Sequence, residues 1–162
     1  MSRRNLNVDQ MGFVLGRAYY NYIGFFEHFI AKAGLDKHIK PGMGSLLFAL
    51  YRDDDRTISE IANELQIAKS TMTGMVRRMQ KAGLLEEAVD ERDGRVTRLR
   101  LTKLAKSIET RCIKVAAQVE ELLCVNFKPI EQTRLRSSLV QLTATMTTHL
   151  QNQRKVKRKR GK

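Results

Sequence analysis

The sequence predicts a mainly α-helical fold with one small β-hairpin, gathered in a single domain. Three observations carry that prediction: helical periodicity over both terminal thirds, two short helices joined by a tight turn near the middle, and one charged hairpin directly after them. At 162 residues the chain has room for one domain with a hydrophobic core and little room for two.

From Val8 to Ala33 apolar residues recur at Met11, Leu15, Ala18, Tyr22, Phe26 and Phe29, which is helical spacing. A second set, Phe13, Tyr20, Ile23 and Ile30, lies off that stripe. A helix apolar on more than one face requires more than one burial surface, and a second subunit is a natural cover. Gly12 and Gly16 point the same way, because each costs about 1 kcal/mol inside a helix unless a neighbour packs closely.

Pro41 and Gly42 punctuate the chain before a short helix from Met43 to Tyr51, which ends at the polar run RDDDR. The next helix starts at TISE, where Thr57 can cap and Glu60 can reach back, with Ile58, Ile61, Ala62 and Leu65 on its buried side. A short turn then leads into a helix from Lys69 to Ala82, closed by Gly83. LLEEAV and VTRLRL read as paired strands, and Asp93-Gly94 signals the hairpin turn between them. Thr102 caps a long helix that carries Leu104, Ile108, Cys112, Val115, Val119 and Leu122. Pro129 opens the last helix, striped by Leu135, Leu139, Leu142, Met146 and Leu150.

Charge narrows the class of partner. Net charge is +13 and the pI is about 10.1, which favours a polyanion, nucleic acid above all. Seven of those charges lie in Arg154 to Lys162, leaving six for the body, so the body is basic in its own right. The run 154–162 is expected to be a disordered basic tail, because like charges repel and only Val156 offers an apolar side chain. No segment approaches the roughly 18 apolar residues of a membrane span, and no membrane partner is expected. Arg17 and Asn21 interrupt the apolar stretch after the basic N-terminus, so a secretory signal is not expected and the location is expected to be cytoplasmic.

Setting the helix axis of 69–82 by the apolar arc Met72, Met75, Val76 and Met79 places Ser70, Gly74, Arg77 and Lys81 on the opposite side, with Thr73 at its edge. A helix-turn-helix followed by a charged hairpin is a winged helix-turn-helix, whose second helix enters the major groove while surrounding phosphate contacts fix the register. Ser70 and Thr73 are then candidates for base edges and Arg77 for a guanine or a phosphate, and Gly74 lets the axis approach closely.

From about Ile39 to Ile108 the chain resembles the MarR family of bacterial transcription regulators. TISEIANEL resembles the first helix of the motif, KSTMTGMVRRMQKAGLLE the recognition helix and its exit, and DERDGR followed by VTRLRLT the wing. The resemblance implies a winged lobe over residues 41–102, and a helical dimerisation region built from residues 8–38 and 103–150 of two interleaved chains, all within one domain of residues 1–153. It also implies that Arg95 is a wing arginine reaching into the minor groove, and that Asp93 is an acid positioning basic side chains near the tip. The candidate DNA-binding residues are thus Lys69, Ser70, Thr71, Thr73, Gly74, Arg77 and Lys81 of the helix, with Arg92, Asp93 and Arg95 of the wing.

Three features depart from the family pattern. Ala68 stands where a serine cap is common, Glu87 replaces a common arginine in the first wing strand, and the basic tail is not a general family feature.

The functional expectation is a homodimeric, sequence-specific transcriptional repressor that binds double-stranded DNA at a pseudo-palindromic operator. The rival reading is a non-sequence-specific architectural DNA- or RNA-binding protein driven by charge. In this family small aromatic ligands lodge between the dimerisation helices and the lobe, which makes Tyr19, Tyr20, Phe26 and Phe48 candidate effector-binding residues beside the plainer reading of ordinary core. No cofactor, metal site or enzymatic activity is expected. His28, His38 and His149 are scattered, PGMGS lacks the ending of a phosphate loop, and Cys112 and Cys124 lack metal-ligand spacing. The two cysteines face different sides of one helix, which suits inert thiols rather than a disulfide, with redox sensing as the minority reading.

Overall fold

A computed structural model of the chain describes residues 8–90 and 93–160. Its elements follow in the order α1 (Met11–Lys32), α2 (Gly44–Arg52), β1 (Arg56–Thr57), α3 (Ile58–Glu64), α4 (Lys69–Lys81), β2 (Leu85–Val89), β3 (Thr97–Leu101), α5 (Lys103–Cys124) and α6 (Pro129–Arg160). The fold class is the mainly helical one expected, with a small antiparallel sheet as its wing.

Capping chemistry sets the helix boundaries in the middle of the chain. Thr57 Oγ1 accepts from the Glu60 amide at 3.2 Å while Glu60 Oε2 accepts from the Thr57 amide at 2.7 Å, a complete capping box at the start of α3. Helix α4 closes at Gly83, whose φ of +72° lets the Leu84 amide reach back to the Met79 carbonyl at 2.9 Å. Thr102 caps α5 by accepting from the Ala105 amide.

The sheet has the order β1-β3-β2, so β3 is its central strand. Strands β2 and β3 pair from Leu85↔Leu101 to Val89↔Thr97, close to the two strands read from the alternation. Strand β1 has no counterpart in the sequence pattern. At two residues it is too short to show a period of two, and its pairing with Leu99 and Arg98 depends on a partner more than forty positions away.

The core lies in the winged lobe and its junction with α5. Leu46, Leu47 and Leu50 of α2, Ile61 of α3, Met72 and Met79 of α4, Leu99 of β3 and Ile108 of α5 are all essentially inaccessible. Tyr51 fastens α2 to α5 by donating its hydroxyl hydrogen to the Ala105 carbonyl at 2.9 Å. Along α1 only Ile30 is buried, whereas Phe13, Tyr19 and Tyr20 stand 51%, 59% and 77% exposed. Leu135, Leu139, Met146 and Leu150 of α6 are exposed as well. A Cβ built at Gly12 or Gly16 meets nothing within 4 Å among the described residues, so packing among them does not account for either glycine.

One boundary differs sharply from the expectation. Helix α6 runs on to Arg160, into the run 154–162 read as a disordered tail, of which Gly161 and Lys162 lie outside the described residues. Lys and Arg are good helix formers, and cations in the last turns oppose the negative end of the helix dipole, which offsets part of their mutual repulsion. Among the described residues no helix is long and apolar enough to cross a membrane.

Candidate nucleic-acid interface

The turn between α3 and α4 is built on Gln66, which holds φ = +52° while the Ile67 amide bonds the Ala62 carbonyl at 3.0 Å. A left-handed residue here ends α3 abruptly and redirects the chain into α4 within a few positions. Glycine would take that conformation at no steric cost, whereas a side chain costs about 1 kcal/mol.

Helix α4 has the inward arc predicted for it: Met72, Met75, Val76 and Met79 are all buried, at 0–4% exposure. Lys69, Ser70, Thr71, Arg77 and Lys81 are exposed on the outer side, with Thr73 and Gly74 half-buried at its edge. Thr73 donates its hydroxyl hydrogen to the Lys69 carbonyl at 2.9 Å, so toward an outside ligand it offers lone pairs. Ala68 is the N-cap and provides no side-chain bond, which leaves the cap unfilled as its identity implied. Arg78, adjacent to Arg77, lies back along the helix, its guanidinium 3.8 Å from a Cβ built on Gly74 and 3.9 Å from one built on Gly42.

The wing tip is a β-turn from Asp93 to Val96, closed by the Val96 amide on the Asp93 carbonyl at 2.8 Å. Gly94 and Arg95 are therefore its central pair, one position later than the Asp93-Gly94 signal, and Gly94 is not among the glycines with positive φ. The seven-residue connection between Val89 and Thr97 relieves the need for the left-handed turn that a two-residue hairpin imposes. Arg95 is exposed, and Arg92 lies outside the described residues.

Asp93 meets Arg95 through the backbone. Its carboxylate accepts from the Arg95 amide at 3.0 Å, so it shapes the backbone at the tip. Asp90 accepts from Arg98 Nη1 at 2.9 Å and from the Asp93 amide at 3.1 Å, so it holds both a basic side chain and the tip backbone.

RDDDR, which by itself reads only as a helix stop, is a clamp on the base of the wing. Asp55 has φ = +60° and accepts from Arg98 Nε at 3.0 Å, Arg100 Nε at 2.8 Å and Arg100 Nη2 at 3.1 Å; its carbonyl takes a further bond from Arg98. Asp54 accepts from the Leu101 amide at 2.9 Å and pairs with Lys106 at 2.9 Å. Arg56 bonds Glu64 at 2.6 Å, and Arg52 joins the same carboxylate. Arg100, then Arg98, hold the Asp55 carboxyl below its ordinary range, and Arg56, then Arg52, do the same for Glu64. Burial pushes Asp54 up, but Lys106 and two backbone amides outweigh it and leave that group lowered too.

This clamp sorts the cations into two sets. Arg52, Arg56, Arg98, Arg100 and Lys106 are neutralised by acids within the lobe. Among the described residues, no acid pairs with Lys69, Arg77, Arg78, Lys81 or Arg95. The open set lines α4 and the wing tip, the two places where a winged motif meets DNA. Local sequence could not reveal the clamp, because Asp55 and its arginines are brought together only by the pairing of β1 with β3. Glu87 is exposed on the edge strand β2 opposite Leu99, outside both sets.

The candidate effector residues separate into two environments. Tyr19 and Tyr20 are exposed on α1 and touch each other, with ring centroids 6.1 Å apart. Phe26 stacks on Tyr22, Phe48 meets Tyr51 edge-on at 5.7 Å, and both phenylalanines pack against the core. Neither cysteine is in a disulfide. Burial pushes the Cys112 thiol up, which suppresses the reactive thiolate.

Residues 44–96 match the family model described as the MarR family. The chain is 29% identical over 122 residues to the HTH-type transcriptional repressor IacR of Pseudomonas putida, an overlap of 75% of this chain and 69% of that protein. Its fold is similar to the PcaV transcriptional regulator of Streptomyces coelicolor, solved in complex with its natural ligand, with a TM-score of 0.72 at 17% identity over 88% of this chain and 96% of that one. A similar likeness holds to the S. aureus MepR–DNA complex, with a TM-score of 0.67 at 17% identity over 86% of this chain and 99% of that one.

Proposed function

We propose that the chain is a DNA-binding transcriptional regulator of the MarR family, a reading supported by the match of residues 44–96 and by the Pseudomonas putida relative, and that it is a cytoplasmic, sequence-specific repressor acting as a homodimer on a pseudo-palindromic operator. Helix α4 occupies the major groove, with Ser70, Thr73 and Arg77 toward base edges, and Lys69, Thr71 and Lys81 toward the flanking backbone. Gly74 allows close approach, and the wing presents Arg95 to the adjacent minor groove. One observation supports this above all: among the described residues the lobe's cations divide, with those at the base of the wing neutralised and those on α4 and at Arg95 left open.

Dimerisation follows from the apolar surface that α1 and α6 present. Phe13, Tyr20, Leu135, Leu139 and Met146 are large apolar side chains left exposed on these two helices, and a two-fold copy buries them in one step. Half-site centres then lie about one helical turn apart. The repressor role rests on the relative from Pseudomonas putida, whose name says that it represses. A small aromatic effector, with Tyr19 and Tyr20 as its first contacts, would work by favouring a lobe spacing that no longer spans two successive grooves; the Streptomyces regulator of similar fold was solved with its natural ligand.

Selection of bound duplexes from a random pool tests the proposal. Enrichment of an inverted repeat of that spacing is expected; equal recovery of all sequences would instead identify a charge-driven binder.

A further inference from the structure

Helix α6 does more than offer an apolar stripe. Along its length it meets three parts of the chain in order. Arg136 pairs with Glu120 near the end of α5; Leu135 to Thr145 line a cleft with Met11 of α1. Then Ala144, Thr147, Thr148 and Gln151 line a cavity of about 270 Å³ with Asn63 and Gln66. Thr147 Oγ1 lies 3.4 Å from the Gln66 carbonyl, on the very turn that launches the recognition helix. The helix therefore travels from the dimerisation side toward the lobe, and after Gln151 it continues for nine residues, 152–160. At 1.5 Å per residue that is about 13 Å of further helix. No acidic residue follows Glu131, and six of the nine residues 152–160 are Lys or Arg.

We propose that the basic end of α6 is a second DNA-binding element, a helical arm that lies along the sugar-phosphate backbone beside the N-terminal end of α4. This inference rests on the proposed DNA-binding function and adds a surface to it. The partner is duplex DNA rather than RNA or an anionic membrane, because the arm is directed past the same turn that α4 leaves and carries positive charge with a single apolar residue, Val156. Phosphate contacts carry no sequence information, so the arm raises affinity for every duplex and leaves base preference to α4.

The test uses the full-length chain against three variants of itself. In the first, Arg154, Lys155, Lys157, Arg158, Lys159 and Arg160 are all replaced by Gln, which keeps helix propensity and removes the charge. The log-log salt slope should become shallower by about 0.9 for each phosphate no longer neutralised, and by no less than about 2 per dimer, on the selected and random duplexes alike. The thermal melt should not move, since Gln is about as good a helix former as Lys or Arg. The second, Asn152→Pro, keeps every charge but breaks the helix before the arm and should also flatten the slope. Thr147→Val, the third, removes the hydrogen bond to Gln66 and should retain the slope, because the helix still directs the arm.

An unchanged slope in the Gln variant, with site preference intact in the parent chain, overturns the arm and spares the function proposed above. An unchanged slope in Asn152→Pro overturns its helical placement. A Gln variant that loses affinity for single-stranded RNA but not for duplex overturns the choice of partner. Failure of the parent chain to prefer any sequence defeats the repressor reading instead, whatever the slopes show.

Discussion

Arg98 and Asp55 are 43 residues apart in sequence, yet Arg98 Nε donates to Asp55 Oδ1 at 3.0 Å and ties the central wing strand to the segment ahead of α3. Asp55→Asn keeps a residue that tolerates the left-handed backbone while removing the charge shared by Arg98 and Arg100. The variant should melt at a lower temperature at neutral pH. Because Asp55 and Glu64 are both held below the ordinary carboxylate range, their contribution is complete above about pH 5 and is lost as pH falls through their lowered values. Acid titration of the melting temperature should thus be less steep in Asp55→Asn than in the parent chain.

Ala68 leaves the start of α4 without a side-chain cap. Ala68→Ser supplies an oxygen for one of the first amides and should raise stability by about 1 kcal/mol, read from urea unfolding. A null result would mean that the backbone there does not orient the hydroxyl toward its amide.

Gly83→Ala isolates backbone strain. The new Cβ would meet Leu104 Cδ2 at 3.7 Å, an ordinary contact, so the expected loss of about 1 kcal/mol arises from the φ of +72°. A much larger loss in urea unfolding would indicate a steric clash in place of strain.

Arg95 sits at a turn whose backbone is already held by Asp93 and Asp90. Its replacement by Ala should leave the melt unchanged and weaken binding to most duplexes. The salt slope should fall by about 0.9 for each wing that leaves a phosphate without its cation. Fluorescence anisotropy on selected and random duplexes separates this from a loss of specificity.

Much of the lobe was legible because its signals are local. Thr57 and Glu60 are three residues apart, the methionine arc repeats within one helix, and Gly83 marks a helix end by its own conformational freedom. Features that depend on distant pairing were not legible. Asp54 and Asp55 gain meaning only when β1 lies against β3, and the shift of the wing turn depends on the length of the connection. The helical end of α6 was hidden for another reason: a run of like charge reads as repulsive, whereas its residues favour helix and sit where the dipole welcomes them.

The most direct measurement compares the sequences selected from a random duplex pool by the parent chain and by Arg77→Ala. Arg77 lies on the exposed side of α4, opposite the buried methionines, with no acid paired to it among the described residues. The variant should lose base preference at one symmetry-related position in each half-site and about 1–3 kcal/mol of affinity for the parent consensus. Recovery of the same consensus at the same affinity would contradict the placement of this helix in the major groove.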